Sequence, residues 1–395
     1  MRRVPGIMSG SVALSVVFRL AAGLLLNSGA SLQSQSVSPQ LIPRTHQERE
    51  ERYKTQHTIV LSVEVTDASG DPVTGLQSAD FHLLQDRQDH PFTSFRAISD
   101  DSAPAREIVL LLDTVNGSSR DIANDRKSIE TFLRRTQGSF EFPTTFGIFT
   151  EAGIETGTPS RDPAFVLGQF RESSSGLQPI ACANEVGVND AFLSVWMPGD
   201  SNIDAESARQ LHCLNRRFLV SVTSLENFAT DRTAGLARTI LVWVGPGWPL
   251  LYNKQFRTDD LSMRDNFYHH LVDVSRLLTE AQVTLDFVVP SDLMRKPQRL
   301  NDHDTRYLDG LPSEEEVAAS SLGLQALAHQ SGGQVLTTKD FPAAVAACID
   351  DAKSYYDLTF VTPPATDFGQ FHSLVVTVDK PQVSVRTRTV YYAEQ

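Results

Sequence analysis

Asp113 is the residue of this chain with the clearest chemical potential. It ends an apolar segment, Glu107–Leu112, and a loop rich in small polar residues follows it as far as Ser119. In open α/β sheets, ligands bind where buried parallel strands end in such loops. A carboxylate at this position either coordinates a divalent cation or accepts hydrogen bonds from the backbone of the loop. The sequence therefore predicts a ligand-binding loop at residues 113–119.

Other side chains that are typical of catalysis or metal binding lack the partners that such chemistry needs. His269 and His270 are adjacent on a predicted helix, so their side chains point about 100° apart and do not share one metal ion. The loop Asn301–Asp304 offers oxygen ligands but lacks the glycine and the distal glutamate of an EF-hand. The chain contains no GxSxG, HExxH, Walker or dinucleotide-binding motif. The sequence predicts a protein that is not an enzyme, with a hydrolase that uses Asp113 or His372 as an alternative.

The three cysteines show no metal-binding spacing. In an oxidising compartment, Cys182 and Cys213 would form a disulfide bond and leave Cys348 as a buried thiol on a helix. Three buried thiols are the alternative, and the spacing does not distinguish the two arrangements.

A second loop with binding potential, Gly245–Pro249, follows the apolar strand Thr239–Val244. Its first proline stands where a phosphate-binding loop needs an N–H donor, so a phosphate site is not expected. Trp248 is the candidate contact residue of this loop, because exposed tryptophans are enriched in binding hot spots. Packing of Trp248 in the core is the alternative.

The elements that must position these loops alternate between strands and helices from residue 106 to residue 350. Besides the two strands above, strands are predicted at 145–150, 284–289 and 334–337, and helices at 121–136, 162–171, 188–197, 205–229, 261–281, 314–330 and 342–354. This alternation is typical of βαβ units and a parallel sheet. Residues 57–98 and 355–393 show β patterns only, and neither segment has enough strands to be stable alone. The sequence therefore predicts an α/β domain inserted into a β-sandwich-like unit that both terminal segments form.

The N-terminal pattern and the net charge limit the location and the partners of the protein. Residues 1–30 contain arginines, an apolar run and then small residues, as in a signal peptide for export, and residues 31–56 have the composition of a flexible tether. Arg19 interrupts the apolar run, so no permanent membrane span is expected after signal removal; a retained anchor is the alternative. We expect a periplasmic, cell-surface or secreted protein. The formal charge of −13 argues against nucleic acid as a partner.

A set of segments throughout residues 57–393 carries a family resemblance through its order and spacing. The segments are Gly70–Leu76, Ala79–Phe81, Gln85–Asp86, Leu111–Asp113, Val242–Pro249, Ala328–Gly333, Tyr355–Phe360, Phe371–His372, Val385–Arg388 and Tyr391–Ala393. Together they resemble the von Willebrand factor A (vWA)-related domain proteins of acidobacterial type. The resemblance implies a vWA-like Rossmannoid domain with a mostly parallel sheet, flanked by a β-sandwich-like unit. It implies little about activity, because most members of that family are of unknown function.

The resemblance also implies which ligands of the vWA metal site are missing from this chain. In metal-binding members, three loops supply an aspartate with two serines, a threonine, and a further aspartate to Mg²⁺. In this chain the two serine positions are Val115 and Gly117, Val186 or Val188 replaces the threonine, and the third loop, Gly245–Gly247, has no acid. Only the first aspartate remains. The resemblance thus implies a degenerate metal site.

These observations predict an exported, non-enzymatic module that binds a protein or peptide, largely without metal and without a cofactor. Its binding face is formed by residues 113–119, 184–190 and 245–249, and the candidate contact residues are Asp113, Asn116, Ser118, Ser119, Asp190 and Trp248. Helix capping is an alternative role for the two serines. A Mg²⁺, Mn²⁺ or Ca²⁺ adhesion site at Asp113 is the first alternative function, and an envelope scaffold is another.

Overall fold

The computed structural model describes residues 57–99, 106–180, 205–233, 238–248, 261–290, 310–313, 323–367 and 369–393. The predicted signal at 1–30, the tether at 31–56 and the helix at 188–197 lie outside these residues, as do Cys182 and Asp190. The strands are β1 (Thr58–Asp67), β2 (Phe81–Gln85), β3 (Gln88–Asp89), β4 (Ser94–Ile98), β5 (Arg106–Asp113), β6 (Thr144–Thr150), β7 (Gly153–Thr156), β8 (Arg238–Val244), β9 (Val283–Pro290), β10 (Val335–Thr338), β11 (Tyr355–Val361), β12 (Gln370–Val378), β13 (Val383–Arg386) and β14 (Val390–Ala393). The helices are α1 (Ser119–Arg135), α2 (Pro163–Ser173), α3 (Ala205–Thr233), α4 (Leu261–Glu280), α5 (Leu324–Gln330) and α6 (Phe341–Asp350).

Within the described residues, six strands form one mostly parallel sheet in the order β10-β9-β8-β5-β6-β7. Neighbouring strands from β10 to β6 are parallel, and β7 pairs antiparallel with β6 at the edge. Counted along the chain, this is the doubly wound arrangement, in which the strand order reverses between the first strand, β5, and the fourth, β8. The prediction of an α/β fold with a mostly parallel sheet is confirmed.

Burial on both faces explains why the two central segments are strands. Ile108–Leu112 of β5 and Ile240–Val244 of β8 are fully buried. Continuous apolar runs are typical of parallel strands that helices cover on both faces. Helix α1 begins at a capping box, in which the Ser118 hydroxyl accepts a hydrogen bond from the Asp121 N–H and the Asp121 carboxylate accepts one from the Ser118 N–H. This cap determines where the loop after β5 ends.

Strands from the two ends of the described chain pair with each other in two antiparallel sheets. One sheet has the order β13-β1-β11-β4 and the other β14-β12-β2-β3. Thr58–Val63 of β1 pairs with Tyr356–Val361 of β11, and Phe81–Gln85 of β2 pairs with Leu374–Val378 of β12. Apolar side chains from both sheets share one buried core. These strands therefore form a β-sandwich.

A buried ion pair joins the sandwich to the parallel sheet. Glu64 of β1 accepts a 2.7 Å hydrogen bond from Arg238 Nη2 at the start of β8, and both side chains are 4% exposed. Glu64 Oε2 also lies 2.6 Å from Arg386 Nη2. Burial raises the pKa of Glu64 to about 7, although both arginines act to lower it. Removal of one partner would leave a buried charge uncompensated, so this link is costly to break.

Three observed strands have no counterpart among the predicted strands, and the shortest of them, β3, has only the two residues Gln88–Asp89. β7 is a four-residue edge strand and β14 follows β13 after three residues, so neither has the length or the apolar alternation that identifies a strand. No helix in the described ranges is long and apolar enough to cross a membrane.

Candidate functional site

The loops that follow β5 and β8 meet at the point where the strand order reverses. Asp113 ends β5 and Gly245 follows β8. A Cβ atom on Gly245 would lie 2.7 Å from the Cβ atom of Asp113, closer than Cβ atoms approach in proteins. Glycine therefore allows the backbone after β8 to pass close to Asp113. Ligands of doubly wound sheets bind at this point of the fold, which makes it the candidate site.

N–H groups of three residues satisfy the fully buried carboxylate of Asp113. Its Oδ1 accepts hydrogen bonds from the backbone N–H groups of Val115 at 2.9 Å and Asn116 at 3.0 Å. Its Oδ2 accepts hydrogen bonds from Asn116 Nδ2 at 2.9 Å and Trp243 Nε1 at 3.0 Å. An ionised carboxylate has about four lone-pair sites. A cation at Asp113 would therefore have to displace one of these donors.

The pKa values of Asp113 and the neighbouring Asp125 are both raised, which lowers the negative charge in this part of the interior. Burial raises the pKa of Asp113, and its hydrogen bonds with Asn116, Trp243 and Val115 partly oppose the rise. Burial, together with the charges of Asp113 and Asp121, raises the pKa of Asp125 to about 8. Asp125 is 1% exposed, and its Oδ1 has no hydrogen-bond partner among the described residues. Asp125 is therefore protonated at neutral pH.

Asn116 connects the loop after β5 to helix α3. Its Nδ2 donates to Ser221 Oγ at 3.1 Å in addition to Asp113, and Ser221 Oγ donates to the Arg217 carbonyl at 2.7 Å. The side chain is buried, and its Oδ1 has no partner within the described part of the chain. Asn116 thus holds the loop in place, and it does not present a free surface to a ligand.

Trp248 is buried, so the expectation of an exposed contact residue is wrong. Its side chain is 5% exposed and packs edge-on against Phe218 and Trp243, with ring centroids 6.0 and 5.9 Å apart. The three rings belong to one apolar core between the sheet and the helices. Burial of this large apolar area favours core packing, the alternative interpretation.

Ser118 and Ser119 are the exposed members of the predicted set of contact residues. Ser118 caps α1, and Ser119 is the first residue of that helix. Asp113, Asn116 and Trp248 lie together in the interior behind them. Asp190, with the loop at 184–190, lies outside the described residues. The surface of the site at this edge is therefore formed by the start of α1.

Other candidate residues have structural partners. His372 lies in the sandwich, where its Nδ1 is 2.7 Å from Asp86 Oδ2 and its ring stacks on Tyr391 at 4.9 Å. His270 Nδ1 lies 2.8 Å from Glu226 Oε1, which connects α4 to α3. The described ranges contain no group of three or more histidine, cysteine, aspartate or glutamate side chains that could hold a metal ion.

The cysteines differ in their redox state. Cys213 is disulfide-bonded, and Cys348 is a free buried thiol. Cys182 is the remaining cysteine of the sequence, but it lies outside the described residues. Its pairing with Cys213 stays a prediction.

Trp243 and Asp125 belong to the site, although the sequence pattern assigns neither to it. Trp243 stands in an apolar strand and has the pattern of a core residue, because its role as a donor depends on the position of β5 beside β8. The sequence does contain a signal for the burial of Asp125, because its spacing places it on the same helix face as Ile122 and Ile129, and all three are buried. An acid at that helical spacing indicates a buried carboxyl group.

Comparisons with known proteins add little to this geometry. No protein-family model matches the sequence. No curated protein matches it. Among solved structures, the chain is similar to the human COPII-coat protein Sec24c, with a TM-score of 0.27 and 8% sequence identity over 74% of this chain and 44% of that chain. The chain thus spans less than half the length of that structure, and a TM-score this low supports no conclusion about fold family or function.

Proposed function

We propose that the protein is an exported, non-enzymatic module of the vWA-related type that binds a protein or peptide at the carboxyl ends of its parallel strands. Binding is largely independent of metal. The observation that carries this proposal is the carboxylate of Asp113, which accepts four hydrogen bonds from N–H groups at the point where the strand order reverses. A metal-dependent adhesion site needs open coordination positions on that carboxylate.

The vWA-like assignment has support from the arrangement of the parallel sheet. Its order reverses between β5 and β8, and the aspartate that the resemblance places at the end of the first strand stands there as Asp113. Export has support from the pattern of residues 1–30 alone. A disulfide bond at Cys213 agrees with an oxidising compartment.

The buried and exposed parts of the site have different tasks in this proposal. Asp113, Asn116 and Trp248 hold the two loops in one conformation, because their polar and apolar contacts lie in the interior. Ser118 and Ser119 are exposed at the rim, and the preceding Gly117 lies close to the half-buried Pro246 of the other loop. A partner would contact this rim, and a loop held rigid before binding loses less conformational entropy when it binds.

A pair of matched substitutions near the two ends of helix α1 tests the proposal. Ser119→Arg places a long charged side chain at the rim, and Ser139→Arg makes the same change at an exposed residue just beyond the other end of α1, about 25 Å away by helical rise. Immobilised wild-type protein and both variants are compared for specific capture from the exported fraction of the source cells, with and without EDTA. We expect wild type and Ser139→Arg to retain the same partner in EDTA and Ser119→Arg to lose it.

Two results would contradict the proposal. Equal capture by all three proteins would place the binding surface elsewhere. Capture that EDTA abolishes would support the alternative of a cation at Asp113.

A further inference from the structure

A small cavity lies between the sandwich and the amino ends of the parallel strands. Ser62 of β1, Arg238 at the start of β8, Thr284 near the start of β9, and Arg388 after β13 are among the residues that line it. Its volume is about 20 Å³. Because Asp113 marks the carboxyl end of β5, the cavity is at the opposite edge of the sheet from the proposed binding face. It is independent of that proposal.

Among the described residues, Arg388 is a buried cation without a counter-charge. Arg388 is 7% exposed, and its Nη1 has no hydrogen-bond partner among the described residues. Burial is the single cause that shifts its pKa, which falls to about 10, so no carboxylate in the described structure compensates for the lost hydration. The guanidinium group remains charged at neutral pH. A buried charge of this kind is costly unless an ion pair or hydrogen bonds offset its desolvation.

Arg238 supplies a second unsatisfied donor in the lining of the same cavity. Its Nη2 donates to Glu64 Oε1 at 2.7 Å and to Thr284 Oγ1 at 3.3 Å, but its buried Nε has no partner in the described ranges. Glu64 shares its charge with Arg386 as well. Asp351 pairs with Arg386, and the charges of Glu64 and Asp286 also act on Arg386. The carboxylates of this cluster therefore face Arg386 and Arg238, and among the described residues none acts on Arg388.

We propose that this cavity binds a small monovalent anion of chloride size between Arg388 and Arg238. The anion accepts hydrogen bonds from the two unsatisfied guanidinium groups and compensates the charge of Arg388. A cavity needs roughly 10–15 Å³ of this measure to hold one water molecule, so the available volume suits one monatomic ion and excludes a large ligand. The polar lining of Ser62 and Thr284 agrees with an ion and not with an apolar ligand. The anion would strengthen the contact between the sandwich and the sheet.

Thermal unfolding in different sodium salts tests this proposal on the full chain. At equal ionic strength, we expect the melting temperature to be several degrees higher in chloride or bromide than in gluconate, whose anion is too large for the cavity. Arg388→Met should remove this difference, because it deletes the cation of the site. Arg135→Met removes the same charge from an exposed position on α1 and should retain the difference.

Bromide-soaked crystals of the wild-type protein provide a second measurement that does not depend on the folding of a variant. We expect an anomalous-scattering peak between the Arg388 and Arg238 guanidinium groups. Equal melting temperatures in all the salts, or crystals that show a water molecule and no bromide at this position, would overturn the proposal.

Discussion

Trp243 Nε1 donates a 3.0 Å hydrogen bond to Asp113 Oδ2 and so connects the two neighbouring strands between which the sheet reverses its order. Both side chains are fully buried. The indole N–H provides a hydrogen bond to the carboxylate that a cation would otherwise coordinate. Asp113 is therefore an anchor of the loop after β5, and the tryptophan on the adjacent strand is its partner.

Trp243→Phe should destabilise the protein more than Trp248→Phe. Both substitutions remove similar apolar area, but only the first takes away a hydrogen bond from the carboxylate of Asp113, since Trp248 Nε1 has no partner among the described residues. The additional loss should be about 1–3 kcal/mol in the free energy of unfolding, which urea denaturation measures. Equal losses would show that the hydrogen bond contributes nothing to stability.

Divalent cations should leave the melting temperature of the wild-type protein unchanged. The lone pairs of Asp113 are engaged by N–H groups of Val115, Asn116 and Trp243, so a cation gains no binding site there. A ligand at 100 times its dissociation constant would add about 2.7 kcal/mol of stability, a shift of several degrees. The measurement compares EDTA with millimolar Mg²⁺, Mn²⁺ and Ca²⁺ by calorimetry. A rise in melting temperature that Asp113→Asn abolishes would establish the cation alternative.

Gly245→Ala should loosen the contact between the loops after β5 and β8. The added Cβ atom would lie 2.7 Å from the Asp113 Cβ, so one of the two backbones must shift, at a cost of about 1–3 kcal/mol. Gly168→Ala is the matched control, because its Cβ meets nothing within 4 Å on an exposed position of α2. The control should stabilise the helix by about 0.5–1 kcal/mol. Chemical denaturation of both variants gives the comparison, and a neutral Gly245→Ala would show that the loops have room to separate.

The sequence predicts the parallel strands well because their side chains are buried on both faces. The apolar run before Asp113 corresponds to β5, and the run from Thr239 to Val244 corresponds to β8, with one added residue at its start. The edge strand β7 escapes prediction because its four residues have no burial pattern, and only its pairing with β6 makes it a strand. A short edge strand that is defined only by its pairing carries a weak sequence signal.

The site is predictable from the sequence only in part. The sequence identifies the loop of Asp113 and offers a helix cap at Ser118 or Ser119, because strand ends and helix caps have local signatures, and the structure places the cap at Ser118. The burial of Trp248 depends on Phe218, thirty positions away on α3, and no local pattern decides whether such a ring is exposed or covered. No local pattern identifies Trp243 as a hydrogen-bond donor to Asp113 either, because this contact depends on the register of β8 beside β5.

Asp125→Asn should reduce the loss of stability that the protein undergoes as the pH rises from about 5 to about 8. The pKa of Asp125 is about 8 in the folded protein, against an ordinary value of 3.8, so the native state holds a proton that the unfolded chain releases. The stabilisation from this proton is complete below the unfolded pKa and is lost as the pH approaches the folded pKa, on the order of a few kcal/mol in all. Glu64 and Asp286, whose pKa values burial raises to about 7, retain part of the same slope in the variant. Urea denaturation at several pH values gives the slope for both proteins. An unchanged slope would mean that Asp125 is ionised in the folded protein, and the negative charge beside Asp113 would then be larger than the buried geometry indicates.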